Sequence, residues 1–193
     1  MATDPGLPHG SLLATIADLL GGSAAASAGL RLRPAGWFAS ADFTPAAATY
    51  HNGDVMAGAQ LVSLVDASGE PVPPGSVVRI LSSALKIGVN AVPSGMTSYA
   101  AALHSVTPPS ALADNAVWVP SAADQASYRG KLSLGSPVLE AAGAGFLYVR
   151  TNYQDFDVKL GTGLSSLYAY LITATGFAAS AVARQMLLYG VVL

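Results

Sequence analysis

From Trp37 onward, apolar and polar positions alternate with a period of two, the spacing that puts successive side chains on opposite faces of a β-strand. Trp37 to Phe43 is one such run, closed by Thr44-Pro45. Asp54 to Asp66 reads as one long strand, with Gly58 as a candidate bulge. Across Ser76 to Ile87, Val78, Ile80 and Ser82 fall on one face and Val77, Arg79 and Leu81 on the other. Thr97 to Val106, Arg129 to Leu134, Gly145 to Thr151 and Phe156 to Leu160 are further strands, separated by Pro, Gly or Asn turns. Leu167 to Thr175 and Val182 to Val192 form a final pair joined by Gly176 to Ser180. Ser68 to Gly75 carries three prolines and is a turn, because proline cannot donate to a ladder. Ser121 with Asp124 three residues on starts one or two turns of helix before Ser127. The expectation is an all-β chain of nine or ten short strands, arranged as an antiparallel β-sandwich or jelly-roll-like body.

The first residues follow another period. Residues 1–10 are rich in Pro and Gly, and Ser11 can cap a helix over Leu12 to Leu20. Leu12, Leu13, Ile16, Leu19 and Leu20 share its apolar face, and Gly21-Gly22 ends it. So short a helix needs something to dock on, whether a neighbour or the main domain. Ser23 to Gly29 is a small-residue linker, and Leu30 to Arg33 alternates as a first strand. Residues 1–29 are therefore read as an arm and 30–193 as the body.

Composition changes this picture in one respect. Only 10% of the 193 residues are charged, against a usual ~25%. Ile87 to Ala113 holds no Asp, Glu, Lys or Arg, and after Leu160 only Arg184 is charged. Such stretches are expected to be covered in a homo-oligomer or larger assembly. A net charge of −2 offers no basic face for nucleic acid, and no apolar run approaches the ~20 residues of a membrane span. With no cysteine, disulfides and thiolate metal sites are excluded.

Candidate chemistry is sparse. His9, His51 and His104 lie far apart, and none has a metal-ligand spacing. Asp155 and Asp157 share one side of an extended segment and could face a cation, but Lys159 beside them reads as a solvated strand edge. Asp54, Asp66 and Glu70 are too dispersed for a glycosidase pair. Gly161 to Ser166 resembles part of a phosphate loop without its lysine and reads as a turn. Tyr168 and Tyr170, on one face of a strand, suit either packing or a sugar-stacking platform. No cofactor, metal site or enzymatic activity is expected.

The order of the motifs adds a resemblance. Tyr50-His-Asn-Gly-Asp-Val55 opens a strand, and Thr97 to Val106 leads through Pro108-Pro109 into Ala113-Asp114-Asn115-Ala116. Ser121-Ala-Ala-Asp124, Tyr128-Arg-Gly130, Leu167 to Ile172 and Thr175-Gly-Phe177 follow. This series, over roughly Tyr50 to Leu193, resembles a family of tailed-phage structural proteins. It departs from that pattern at Trp118, where Phe is usual, and at the Pro71 to Pro74 turn. The resemblance implies a virion component on the capsid exterior that decorates or cements the shell. Its partners would be the major capsid protein and further copies of itself, most naturally a trimer formed through the uncharged strands; nucleic acid and membrane are not expected. A head- or tail-spike or fibre component that touches a host glycan is the alternative. In that setting Leu12, Ile16, Leu19, Leu20, Tyr168 and Tyr170 are expected at interfaces. Pro108 and Pro109 would carry the chain off one sheet, Asp114 and Asn115 would satisfy turn backbone groups, and Trp118 would plug one end of the sandwich.

Overall fold

A computed structural model describes residues 36–193; the expected arm helix, with Leu12, Ile16, Leu19 and Leu20, and the Leu30 to Arg33 strand lie outside the described residues. The described chain is all-β and its pairings are antiparallel. Its strands are β1 (Gly36–Phe43), β2 (Thr49–Tyr50), β3 (Val55–Ser63), β4 (Val65–Asp66), β5 (Val77–Ile87), β6 (Tyr99–His104), β7 (Tyr128–Gly135), β8 (Val138–Leu139), β9 (Leu147–Lys159), β10 (Ser166–Thr173), β11 (Phe177–Ala178) and β12 (Arg184–Val192). A six-stranded sheet runs β4-β1-β12-β5-β9-β8, a four-stranded sheet runs β3-β10-β6-β7, and β2 pairs with β11.

The two larger sheets share one apolar core. Trp37, Ala39, Ala41 and Phe43 of β1 and Met186 and Leu188 of β12 meet Val62, Leu103, Leu132, Leu167 and Leu171 from the smaller sheet. Strict alternation in β1, with every second residue buried, is the direct product of its sequence period.

Both sides of this pair of sheets are crossed by the chain. The run expected as one strand over Asp54 to Asp66 is divided, because β3 belongs to the small sheet and β4 to the large one. Buried Leu64 makes the step, with its N–H on the Ser165 carbonyl and its carbonyl receiving the Val72 N–H. At the opposite side, β7 passes through Ser136-Pro137 into β8 of the large sheet. The two strands expected over Gly145 to Thr151 and Phe156 to Leu160 are instead one strand, β9, whose register slips against β5 between Ser82 and Ile80. Asp155, at φ 55°, takes up the irregularity, so Asn152 to Asp155 form a bulge where a turn was expected. The expected final pair also separates: β10 is central in the small sheet and β12 in the large one.

Two of the charge-free stretches thereby acquire a local explanation. β6 and β10 are the inner strands of the small sheet, and on its outer face they are covered by residues 107–121. Strands buried on both faces have no room for charge.

Candidate interaction surface

The outer face of the small sheet presents Val55, Ala102, Tyr170 and Ile172, all buried, and a second small apolar cluster forms there. Leu112 and Trp118 of the covering segment and Tyr128 of β7 pack on it. Pro108, itself buried, and Pro109 begin the run that crosses this face.

Two carboxylates pin the segment. Asp114 accepts hydrogen bonds from the Tyr50 hydroxyl (2.7 Å), the Ala46 N–H (2.7 Å) and the Ala57 N–H (2.7 Å). It therefore ties the covering segment to the β1–β2 connection and to β3, a longer reach than the local turn expected of it. Ala57 has φ 62°, and its N–H is turned to the carboxylate at the bulge of β3, one residue before Gly58. Burial alone would raise the Asp114 pKa; the donors from Ala46, Tyr50 and Ala57 outweigh it and hold the carboxyl below the usual range. The same contact raises the Tyr50 pKa, after burial as the main cause.

Asp124, fully buried, is the second pin. Its carboxylate accepts from the Ser110 N–H (3.0 Å), the Ser121 N–H (2.6 Å) and the Ser121 hydroxyl (2.9 Å). Burial works against ionisation here too, but these donors bring its pKa down to about 2. The short helix is a single 3-10 turn over Ala122–Asp124, begun by this Ser121–Asp124 exchange.

Between the pins the backbone is held as well. The Asn115 N–H donates to the Val55 carbonyl, the Val55 N–H to the Ala116 carbonyl and the Trp118 N–H to the Gly53 carbonyl, each at 2.8 Å. The Asn115 amide, with its nitrogen turned inward, donates to Asp54 (3.1 Å) and the Thr49 carbonyl (3.3 Å). Asn115 itself is left-handed at φ 63°, a conformation asparagine tolerates well.

Trp118 does not plug an end of the sheets. It lies half-buried on the outer face, tilted against Tyr128 at 6.0 Å, with the Lys131 ammonium 5.4 Å from its ring centre. Val117 and Val119 on either side of it are 57% and 64% exposed. Backbone bonds and side-chain burial at alternate positions thus present two valines outward from a fixed segment.

Tyr170 is 1% exposed and its hydroxyl accepts the Leu112 N–H at 2.9 Å, so it anchors the covering segment and offers no open ring. Tyr168 is half-buried, with cross-strand partners His104 and Leu61. The pair does not make an exposed stacking platform.

His104 sits beneath the same segment between the rings of Tyr128 (5.5 Å) and Tyr170 (5.9 Å). Its Nδ1 is 3.0 Å from the Ser127 hydroxyl, which donates to the Asp124 carbonyl. Nδ1 is therefore the protonated nitrogen, and Nε2 is left buried without a partner. Burial lowers the His104 pKa, with Asp124 acting to raise it and Arg129 to lower it further. His104 and Ser127 are both buried, and the Asp124 carboxylate faces Ser110 and Ser121, so the three do not form an open nucleophile–base relay.

Elsewhere, Asp155 and Asp157 close on Arg79: Asp157 takes Nε at 2.6 Å and Asp155 takes an Nη at 3.2 Å. The pair beside Lys159 thus shares one guanidinium across the strands, which offsets one of its two charges. His51 lies 3.4 Å from Asp54. Among the described residues no group of three or more His, Asp or Glu side chains is placed to hold a metal ion. The cover, with its two aspartate pins, was foreshadowed in sequence by the Pro108-Pro109 corner, Asp114-Asn115 and the Ser121–Asp124 pair; the distant partners of Asp114 had no local signal.

No family model matches the chain, and no curated protein matches it.

Proposed function

We propose that this chain is a structural component of a tailed-phage virion, with a jelly-roll-like sandwich body that decorates or cements the outside of the capsid shell. The observation that carries the reading is the display of Val117 and Val119 on a segment held by Asp114, Asp124 and three backbone hydrogen bonds. Apolar groups on a pre-ordered segment can dock with little further ordering cost. Burying two such valines against the major capsid protein is worth about 1 kcal/mol each, a small amount that repetition around a shell multiplies. The neutral surroundings are consistent with the 10% charged fraction.

The test is a Val117→Asp/Val119→Asp double variant added to purified heads that lack the protein. Occupancy is expected to fall well below that of the unmodified chain, with the urea midpoint of the free protein unchanged. Equal occupancy would remove this surface from the mechanism.

One observation favours a second reading, contact with a host glycan by a spike or fibre component. A cleft of about 390 Å³ opens beside Trp118, with Asn52, Ser98, Lys131 and Ser133 among its lining. This places an aromatic edge next to hydroxyl, amide and ammonium groups, a mixture suited to sugars. A glycan array probed with the isolated protein, with Trp118→Ala as control, separates the two readings.

A further inference from the structure

The outer face of the large sheet is the other apolar surface of the body, and its register has a property of its own. Phe38, Leu81 and Tyr189 are 45%, 43% and 38% exposed there, with Leu187 beside them. Reading across β1, β12, β5 and β9, the outward residues form three rows. The first is Asp42, Gln185, Lys86, Tyr148; the second Ser40, Leu187, Ala84, Arg150; the third Phe38, Tyr189, Ser82, Asn152.

We infer that this face binds the same face of a second copy of the chain, about a two-fold axis lying along β12. Rotation about that line exchanges β1 with β5 and keeps each row in place. Asp42 of one copy then stands over Lys86 of the other, and the pair occurs twice. Leu187 meets Leu187 and Tyr189 meets Tyr189 on the axis. Phe38 enters above Ser82, and Ser40 meets Ala84. Ser82 and Ala84 are 3% and 1% exposed, and the Arg150 guanidinium lies over this part of β5, 3.4 Å from the Ser82 hydroxyl and 5.8 Å from the Tyr189 ring centre, so the Phe38 ring of one copy meets Arg150 of the other beside exposed Leu81.

Neighbouring axes lack this match. An axis along β5 sets Lys86 on Lys86, and one along β1 sets Asp42 on Asp42, each a repulsive pairing. Facing sheets stack ~10 Å apart with strands within about 30°, a spacing these side chains can fill. Four strands at ~4.8 Å and eight residues at ~3.4 Å give a plane of roughly 500 Å². Side-chain relief brings that toward the ~800 Å² per partner of a standard interface. The contact is isologous, as a two-fold requires, and differs from the trimer that the resemblance implied. It is independent of capsid docking, because Val117 and Val119 cover the other sheet.

The experiment is sedimentation equilibrium of the full chain up to ~100 µM, the range in which a micromolar dimer is fully resolved. The unmodified protein is expected to dimerise. Asp42→Lys and Lys86→Asp singly are each expected to weaken the dimer about tenfold or more through two like-charge contacts, and the double exchange is expected to restore it. A monomer throughout the range, a trimer, or a double exchange no more dimeric than either single variant would overturn the inference. Leu187→Lys, on the axis, supplies an independent check: dimerisation undiminished by it would also overturn the inference.

Discussion

Replacing Asp114 by Ala removes the acceptor shared by three donors from two other parts of the chain. The Ala46 N–H is exposed and can turn to water. The Tyr50 ring is fully buried, but its hydroxyl has a second, longer acceptor in the Ala46 carbonyl at 3.3 Å. The Ala57 N–H has no such alternative in the structure, since φ 62° aims it at the carboxylate. An unsatisfied buried donor costs about 1–3 kcal/mol, so one full and one partial loss predict about 2–5 kcal/mol. That is a large share of a stability of about 5–15 kcal/mol. Asp114→Asn should lose less, because an amide oxygen in the place of Oδ1 keeps the Tyr50 and Ala57 donors and only the exposed Ala46 N–H faces the amide nitrogen. Urea unfolding measures the loss, and Tyr50→Phe supplies the cycle. With the hydroxyl gone, Asp114→Ala should cost about 1–2 kcal/mol less than in the native background. The carboxyl pKa is depressed in the folded chain, so this stabilisation is complete above the unfolded carboxylate value and is lost as pH falls through the folded one. A loss below about 1 kcal/mol, or no coupling with Tyr50, would refute the assignment of Asp114 as a pin.

Three further outcomes follow from the same geometry. His104 is neutral and its folded pKa is lowered, so the unfolded chain takes up a proton first; stability should decline as pH drops below about 6.5, and His104→Phe should flatten that part of a urea-midpoint profile. Trp118→Ala should cost about 1–2 kcal/mol, less than a fully buried tryptophan, because part of the side chain is already in contact with water; calorimetry against the unmodified chain decides it. Gly190→Ala should destabilise by about 3 kcal/mol or abolish soluble expression, because a Cβ there overlaps the Arg79 carbonyl oxygen and stands 2.5 Å from the Trp37 ring; thermal melting of the purified variant checks it.

Much of the secondary structure was legible because it is local. Alternation from Trp37 to Phe43 predicted β1 and its buried face, and prolines marked the Ser68 to Gly75 turn. Alternation from Ser76 to Ile87 predicted β5 but not its slip at Leu81, which puts Ser82 on the outer face, opposite the core residues Val78 and Ile80 with which it was grouped. Ser121 and Asp124 announced the short helical turn. Missing charge had two different causes that sequence did not separate. β6, β10 and β12 are alike in being poor in charge, with Arg184 the one Asp, Glu, Lys or Arg among them. Only the tertiary packing shows that β6 and β10 are roofed by residues 107–121, while among the described residues no segment covers the outer face of β12.

The chain by itself determined which residues extend, where they turn and which face of each strand is apolar, since those depend on neighbours two or three positions away. Tertiary structure decided the rest. Leu64 carries the chain between sheets where the strand pattern continues unbroken, and Ser136-Pro137 does so at a turn whose sequence does not say which sheet follows. Asp114 finds donors 57 to 68 residues away, and Tyr170 becomes an anchor because Leu112 returns to it across 58. Contacts of that span are set by how sheets pack and close. No local period encodes them, and the surfaces left open for a partner are what remains after they form.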